Sequence, residues 1–513
     1  MERVQIKAGA ILSYLQMILS IAIGLFYTPV MIRLLGQSEY GLYSTAISVT
    51  AMLSILNLGF GSAYQRYYSK YHKIGDQIKI AKLNGMFLSI FSLLGLVAFC
   101  CGFFLVNHID FIFDSGLTAD EYKTAKELLA ILIVQLALSF PTCVFTTIIS
   151  AHERFVFSKS LQILKALLGP LLTLPMLLMG YKSIALVAVS LFVAILCDFL
   201  ALYYVFFRLK ERFKFGKIED GLFRELLSYI SFIALHLITD QINWNVDKIL
   251  LVRFHDTSTT AVYSVGYSIY SYMIYFGTPI SSMFVPRVHR ITANYDLTIS
   301  EKSNEYSKIF TKVGRIQFLL IGCIVTGFVV FGKQFIQLWV GDAYSSSYWV
   351  TLLLMIPGAI DLIQVIGTEI QRSQNLHKFR GIVYIIMAMV NVLLSIPLCI
   401  KWGAIGSAVG TAFSFVIVQG FIINIYLHKK CHVNIVYFWK SILRMSCGLM
   451  LPFILGEIAV RLFGFNSLPS LVAGIMGYCI VYVISMWFIG LNPEEKNLAY
   501  SMLRRFKARN KHQ

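Results

Sequence analysis

Charge is scarce in this 513-residue chain. Asp, Glu, Lys and Arg make up 14% of it, hydrophobic residues 57%, and mean hydropathy is +0.71. An ordinary soluble domain has about a quarter charged residues. Long polar linkers are missing as well. The longest polar stretches run to about 25 residues, too short for an independent catalytic domain. A soluble chain of this length divides into domains joined by such linkers, so a soluble multidomain enzyme is excluded. No G-x-x-x-x-G-K-[ST] occurs; the Gly-Lys pair at 216 lacks the first glycine and the hydroxyl, and the pair at 332, although Gly327 stands at the right spacing, has Gln334 in place of the hydroxyl. A P-loop that cradles ATP phosphates is therefore excluded. His152-Glu153-Arg154-Phe155-Val156 does not complete a His-Glu-x-x-His zinc motif. The nine cysteines are scattered, with no Cys-x-x-Cys and no Cys/His cluster at zinc spacing, and read as small hydrophobes. No nucleophile and base stand at a readable spacing. The chain is expected to be no enzyme, with no catalytic residue, no metal and no cofactor. A cleavable signal peptide is missing too: Ala10 to Leu35 reads as a full span and should remain as the first helix.

What the chain has is apolar runs of about 20 residues from end to end, each long enough to cross the hydrocarbon layer as a helix. Fourteen are expected: 10–33, 40–64, 83–106, 125–150, 160–180, 184–207, 226–252, 261–285, 313–332, 349–371, 380–400, 403–427, 439–460 and 468–490. The net charge of +18 is a topology signal rather than a nucleic-acid one. Alternate loops hold 32 Lys and Arg on one side and seven on the other, which puts both termini in the cytoplasm. Reporters after Lys73 and Asp220 should lie inside, and those at Asp114 and Ser346 outside. The same basic loops attract anionic lipid headgroups.

An internal repeat runs through the first twelve spans. Leu-Ser-Tyr at 12–14 recurs at 227–229, Tyr43-Ser44 at Tyr263-Ser264, Arg66 at Arg287 and Pro141 at Pro357. Phe157 stands 18 residues before Pro175, and Phe379 stands 18 before Pro397. A six-helix unit enters the membrane in the same sense twice. The expected fold is therefore all-α and polytopic, with two six-helix bundles in parallel repeat around a central cleft and two further helices. The boundaries are 1–215, 216–432 and 433–513.

Thr239 to Val252, TDQINWNVDKILLV, carries Asp240, Asn243, Asn245, Asp247 and Lys248 inside the seventh span. Ionisable groups in a bilayer core are costly and mark pathways or partners. At roughly 100° per residue, His236, Asp240, Asn243, Trp244, Asp247 and Lys248 share a face about 140° wide. Two readings stay open. One is intramembrane pairing, with Lys248 held by a neighbour's carboxylate. The other is a stripe lining a hydrated cavity, with Asp240, Asn243 and Asp247 facing water. Asp247 and Lys248, adjacent in sequence, do not face each other.

The stretch 32–71, IRLLGQSEYGLYSTAISVTAMLSILNLGFGSAYQRYYSKY, resembles the first hairpin of bacterial polysaccharide flippases of the O-antigen and capsule type. These belong to the multidrug/oligosaccharidyl-lipid/polysaccharide exporter superfamily. The matching residues are Leu35-Gly36, Tyr40-Gly41, Tyr43, Leu58-Gly59, Gly61 and Arg66. Asp247-Lys248-Ile249-Leu250 and Tyr263-Ser264 are similar to that family's seventh helix and its continuation, with Ala261-Val262 in place of the usual glycine. The resemblance implies translocation of an undecaprenyl-diphosphate-linked oligosaccharide to the outer leaflet of the cytoplasmic membrane. It also implies contact with polysaccharide polymerase machinery and with membrane lipids, but not with nucleic acid, and it sets the seventh helix beside the cleft.

Arg66 and Arg287 then stand at the inner ends of the second and eighth spans, as topology anchors or as a cationic gate for diphosphate, which a guanidinium fork suits. Arg33 is placed to receive the diphosphate on the outer side or to snorkel there. Asp240, Asn243, Asp247 and Lys248 complete the candidate substrate contacts. Asp247, Asp361 and Glu369 are candidates for ion coupling, although Glu369 and Arg372 also suit a structural i, i+3 pair. Asp198 and Lys165 are a candidate pair in the first bundle. Two competing functions remain: a cation-coupled small-molecule exporter of the same superfamily, and a membrane-embedded glycan polymerase or glycosyltransferase. The short outer loops show no catalytic cluster and disfavour the last.

Overall fold

The computed structural model describes residues 2–57, 59–113, 117–216, 222–374, 376–497 and 500–501. Leu58, Asp114, Asp220 and the basic tail beyond 501 lie outside the described residues, as does the side chain of His236. Seventeen α-helices are described, and no strand is found among the described residues. The first seven are α1 Glu2–Leu35, α2 Gln37–Leu53, α3 Phe60–Ile74, α4 Gln77–Asn107, α5 Ala119–Ala151, α6 Phe155–Leu178 and α7 Ser183–Tyr203. There follow α8 Leu222–Phe254, α9 Thr257–Ser282, α10 Val285–Ala293, α11 Ile299–Trp339, α12 Ser347–Ile363 and α13 Val365–Ser373. The last are α14 His377–Phe415, α15 Ile423–Lys429, α16 Ile435–Phe463 and α17 Leu468–Ser485.

Ten described helices are long and apolar enough to cross a membrane, or eleven if α12 and α13, bent by 42° at Gln364, form one span. The run Lys378–Lys429 enters that number once but holds two expected spans, because α14 turns at Gly403 (φ 55°, ψ −131°). The seventh and eighth expected spans are α8 and α9. They are long enough, but α8 carries the polar stripe and α9 is rich in Ser, Thr and Tyr. With these included, fourteen helical segments of spanning length follow in the expected order. Two differ in detail from the hydropathy reading. The second breaks over Ser54–Asn57 and restarts after Gly59, which sits in the left-handed region at φ 74°. The ninth begins at Ile299 rather than 313. A capping box, in which Thr298 and Glu301 satisfy each other's backbone donors, starts the helix well before its apolar part.

The chain forms two compact units, one of Met1–Val265 with Gly381–Thr411, the other of Gly266–Arg380 with Ala412–Gln513. In the first unit an aromatic core of Tyr64, Tyr67, Phe87, Phe91, Phe140 and Phe145 packs α3, α4 and α5. Gly41 stands at a close helix contact. A Cβ there would stand 1.8 Å from the Thr257 carbonyl oxygen, so only glycine lets α2 meet the start of α9. Ser44 Oγ donates to Ser264 Oγ at 2.6 Å one turn further on. In the second unit Phe331, Phe465, Tyr478 and Tyr482 pack α11 against α16 and α17.

One ring stack occurs twice. Phe157 lies on Tyr204 with centroids 3.9 Å apart and an interplanar angle of 14°. Phe379 lies on Tyr426 at 4.0 Å and 6°, both partners shifted by 222 positions.

Candidate functional site

α8 places Asp247 one helical turn after Asn243, on the face that meets α14. Both are 1% exposed. The α14 turn at Gly403 folds residues 391–399 back along 404–411. Gly406 permits the approach: a Cβ there would lie 1.9 Å from the Leu398 carbonyl oxygen, the use of small residues expected where membrane helices pack tightly. His255 Nε2 donates to the Cys399 carbonyl at 2.6 Å and ties the end of α8 to the same turn.

This hairpin and α9 surround Asp247 with hydroxyls. Tyr263 Oη donates to Oδ2 at 2.6 Å, Thr411 Oγ1 to Oδ2 at 2.6 Å, and Ser407 Oγ to Oδ1 at 2.7 Å. Asn391 extends the network: its Oδ1 accepts from Ser395 Oγ at 3.0 Å and stands 3.2 Å from Thr411 Oγ1, and its Nδ2 reaches Asn243 Oδ1 at 3.5 Å. A buried carboxylate in a spanning segment is costly unless it is hydrogen-bonded. Here three neutral hydroxyls do that work, and Asp247 needs no lysine partner to be held. Asn243 and Asp247 are enclosed by protein, so this part of the stripe is not water-lined in this structure. Asp240 is half-buried and Lys248 is 9% exposed, each with further interactions of its own.

The remaining candidates stand on other elements. Arg33 is exposed in the last turn of α1, and Arg66 is exposed on α3. Arg287 is on α10, with Nη2 3.9 Å from Glu305 Oε2. Asp361 accepts from Gln419 Nε2 at 2.5 Å and has Arg380 Nη2 at 3.8 Å. Glu369 and Arg372 make the i, i+3 pair, at 2.9 Å. Asp198 accepts from Thr142 Oγ1 at 2.8 Å. Asp247 and Asn243 are thus brought together, while Asp361 and Glu369 belong to the other compact unit.

Sequence reasoning missed Asn391, Ser395, Ser407 and Thr411. Their signal was a polar residue every fourth position on each leg, with glycines at 403, 406 and 410 between them.

The described residues are all-helical, with many segments of spanning length and a carboxylate buried within one of them. Among solved structures, the lipid II flippase MurJ in an inward closed conformation superposes with a TM-score of 0.68 at 16% identity, covering 94% of this chain and 98% of its own. An inward-facing multidrug resistance MATE family transporter of the MOP superfamily gives 0.57 at 13% identity, over 81% and 99%. At these identities the likeness is one of fold. The chain belongs to the family described as polysaccharide biosynthesis protein, which its residues 6–292 match. A Shigella dysenteriae protein described as an O-antigen transporter is 24% identical over 148 residues, 28% of this chain. That match spans 35%, about a third, of the relative's own length.

Proposed function

We propose that this protein is a flippase that moves a polyprenyl-diphosphate-linked oligosaccharide from the inner to the outer leaflet of the bacterial cytoplasmic membrane, for surface polysaccharide synthesis. Membership of the polysaccharide biosynthesis family carries this reading. The recurrent Phe–Tyr stack at a 222-residue shift supports two six-helix repeats, 1–215 and 216–432, followed by 433–513. The partners are the lipid-linked glycan, membrane lipids and, in the same assembly line, the polymerase machinery.

Energy enters, on this reading, through Asp247. One carboxylate among neutral oxygens carries a single charge, which one proton or one monovalent cation balances. Taking up that ion relieves the cost of the buried charge, so its binding and release can bias two packings of α8 against α14. Asp361 and Glu369 are the second-rank candidates, each already paired with an arginine.

Arg66 and Arg287 contact the diphosphate during loading, and Arg33 takes it on the outer side. Arg66→Lys and Arg287→Lys keep the charge that sets topology but lose the bidentate fork. With protein level held equal, each is expected to lower surface glycan about tenfold in a strain lacking the native gene. Wild-type glycan in both lysine variants and both alanine variants would remove the gate. A cation-coupled exporter of small molecules would instead leave glycan unchanged and pump dyes out of the cell.

Both termini face the cytoplasm on this reading. Reporter fusions after Lys73 should be active inside and those at Ser346 outside; reversal at either site would refute the orientation.

A further inference from the structure

α10 and the first turns of α11 enclose an open cavity of about 710 Å³. Arg287, Arg290 and Lys308 line it, with Asn304, Glu301 and Glu305. Arg287 and Arg290 are three apart on α10 and share a face. Of the two carboxylates, Glu301 is committed elsewhere: its Oε2 accepts from the Thr298 backbone N–H at 2.8 Å and from Thr298 Oγ1 at 2.7 Å. Glu305 is left to answer three cations. Its Oε1 accepts from Lys308 Nζ at 3.1 Å, while its Oε2 stands 3.9 Å from Arg287 Nη2, a Coulombic contact beyond hydrogen-bond reach. Among the described residues Arg290 has no acid partner.

We infer that Arg287, Arg290 and Lys308 form a pocket for a phosphate-class anion, and that Glu305 is an internal competitor which holds two of the cations until the ligand displaces it. Two guanidinium forks and an ammonium are the donors that phosphate oxygens favour. The loose 3.9 Å contact is one that a stronger anion breaks easily. Glu305 keeps the empty pocket from binding any passing anion, as a built-in negative charge does in selective sites. The flippase reading supplies one source of the ligand, the diphosphate of the glycolipid; the headgroup of an anionic phospholipid is the other. The pocket itself depends on neither.

The test uses the full-length protein in detergent, titrated with inorganic pyrophosphate at constant ionic strength and followed by calorimetry. Glu305→Gln removes the competitor and should tighten binding about tenfold, and Arg290→Gln and Lys308→Gln should each weaken it by a similar factor. Glu305 is one-third exposed, so its variant should fold, and unliganded melting temperatures check all three. Unchanged or weaker binding in Glu305→Gln overturns the competitor. Unchanged binding in both Arg290→Gln and Lys308→Gln overturns the pocket. Nanodiscs separate the sources: loss of pyrophosphate binding on adding phosphatidylglycerol marks a bulk-lipid headgroup, and its loss only on adding undecaprenyl diphosphate marks the glycan carrier. Surface glycan measured in Arg290→Gln keeps the two ideas apart. Normal glycan alongside weakened pyrophosphate binding leaves the pocket standing and takes it off the transport route. Lost glycan with unchanged binding does the reverse.

Discussion

Asp247→Asn is expected to leave a folded protein that no longer builds surface glycan. The asparagine fills the same volume, and its oxygen still accepts from part of the hydroxyl ring of Tyr263, Ser407 and Thr411. It has lost the charge that a coupling ion would balance. Transport measured as surface polysaccharide should fall at least tenfold, with protein level and melting temperature near wild type. Asp247→Ala is a different perturbation. It removes the acceptor for three buried hydroxyls, and an unsatisfied buried polar group costs about 1–3 kcal/mol. Thr411 can turn to the Ser407 carbonyl, already 3.3 Å away, so the sum falls short of three full penalties. The expected destabilisation is about 2–4 kcal/mol, concentrated at Tyr263. Tyr263→Phe in the alanine background should recover part of it, because the orphaned hydroxyl is then gone. If Asp247→Asn sustains wild-type glycan, the charge at this position couples nothing and the knot is only structural.

The contrast between the two variants matters because the sequence alone left the stripe ambiguous. Hydropathy located the spans, and the concentration of polar groups between Asp240 and Lys248 singled out the seventh. Helical spacing also made Glu369 and Arg372 a pair, as they are at 2.9 Å. What holds Asp247 was not legible there. Apart from Tyr263, 16 positions on, its partners are Ser407 and Thr411, 160 and 164 positions downstream, and Ser and Thr are too common in spanning helices to stand out one at a time. They converge because α14 folds back on itself at Gly403, at the boundary expected between the spans 380–400 and 403–427, but hydropathy does not say which faces of the two legs meet α8. The two breaks at Ser54–Gly59 and Gln364 also escaped notice. Neither interrupts the hydropathy, and a bend inside a span is set by packing rather than by composition. A hydropathy window also ends a helix where the membrane ends. Arg315 stands well inside α11 rather than at the start of the ninth span, and hydropathy says nothing about its partner 180 residues away.

Arg315 is where the second large effect is expected. It is 3% exposed on α11, and its guanidinium donates five hydrogen bonds. Nε reaches Glu495 Oε1 at 2.6 Å, and Nη2 reaches Glu495 Oε2 at 2.8 Å and the Gly490 carbonyl at 2.9 Å. Nη1 reaches the carbonyl and the hydroxyl of Ser441, both at 3.1 Å. A guanidinium has five N–H donors, so none is left over. One side chain thus ties α11 to α16 and to the chain that follows α17, joining the last two spans to the ninth. Removing one partner of a buried ion pair typically costs 3–5 kcal/mol. Glu495 is 15% exposed and regains water when released, so Arg315→Ala is expected at the low end, about 3 kcal/mol. Arg315→Lys should be nearly as damaging, since one ammonium has three donors and cannot span Glu495, Gly490 and Ser441 together. Glu495→Gln keeps an acceptor and should cost about 1 kcal/mol. Melting temperatures of the four proteins in one detergent, with the Arg315→Ala/Glu495→Gln double variant closing the cycle, give the coupling directly. A double variant no less stable than Arg315→Ala alone is expected, because Glu495 has then lost the charge it was built to balance. Equal melting temperatures for wild type and Arg315→Ala would mean that the packing of Phe331, Tyr478 and Tyr482 holds the last two spans without the arginine.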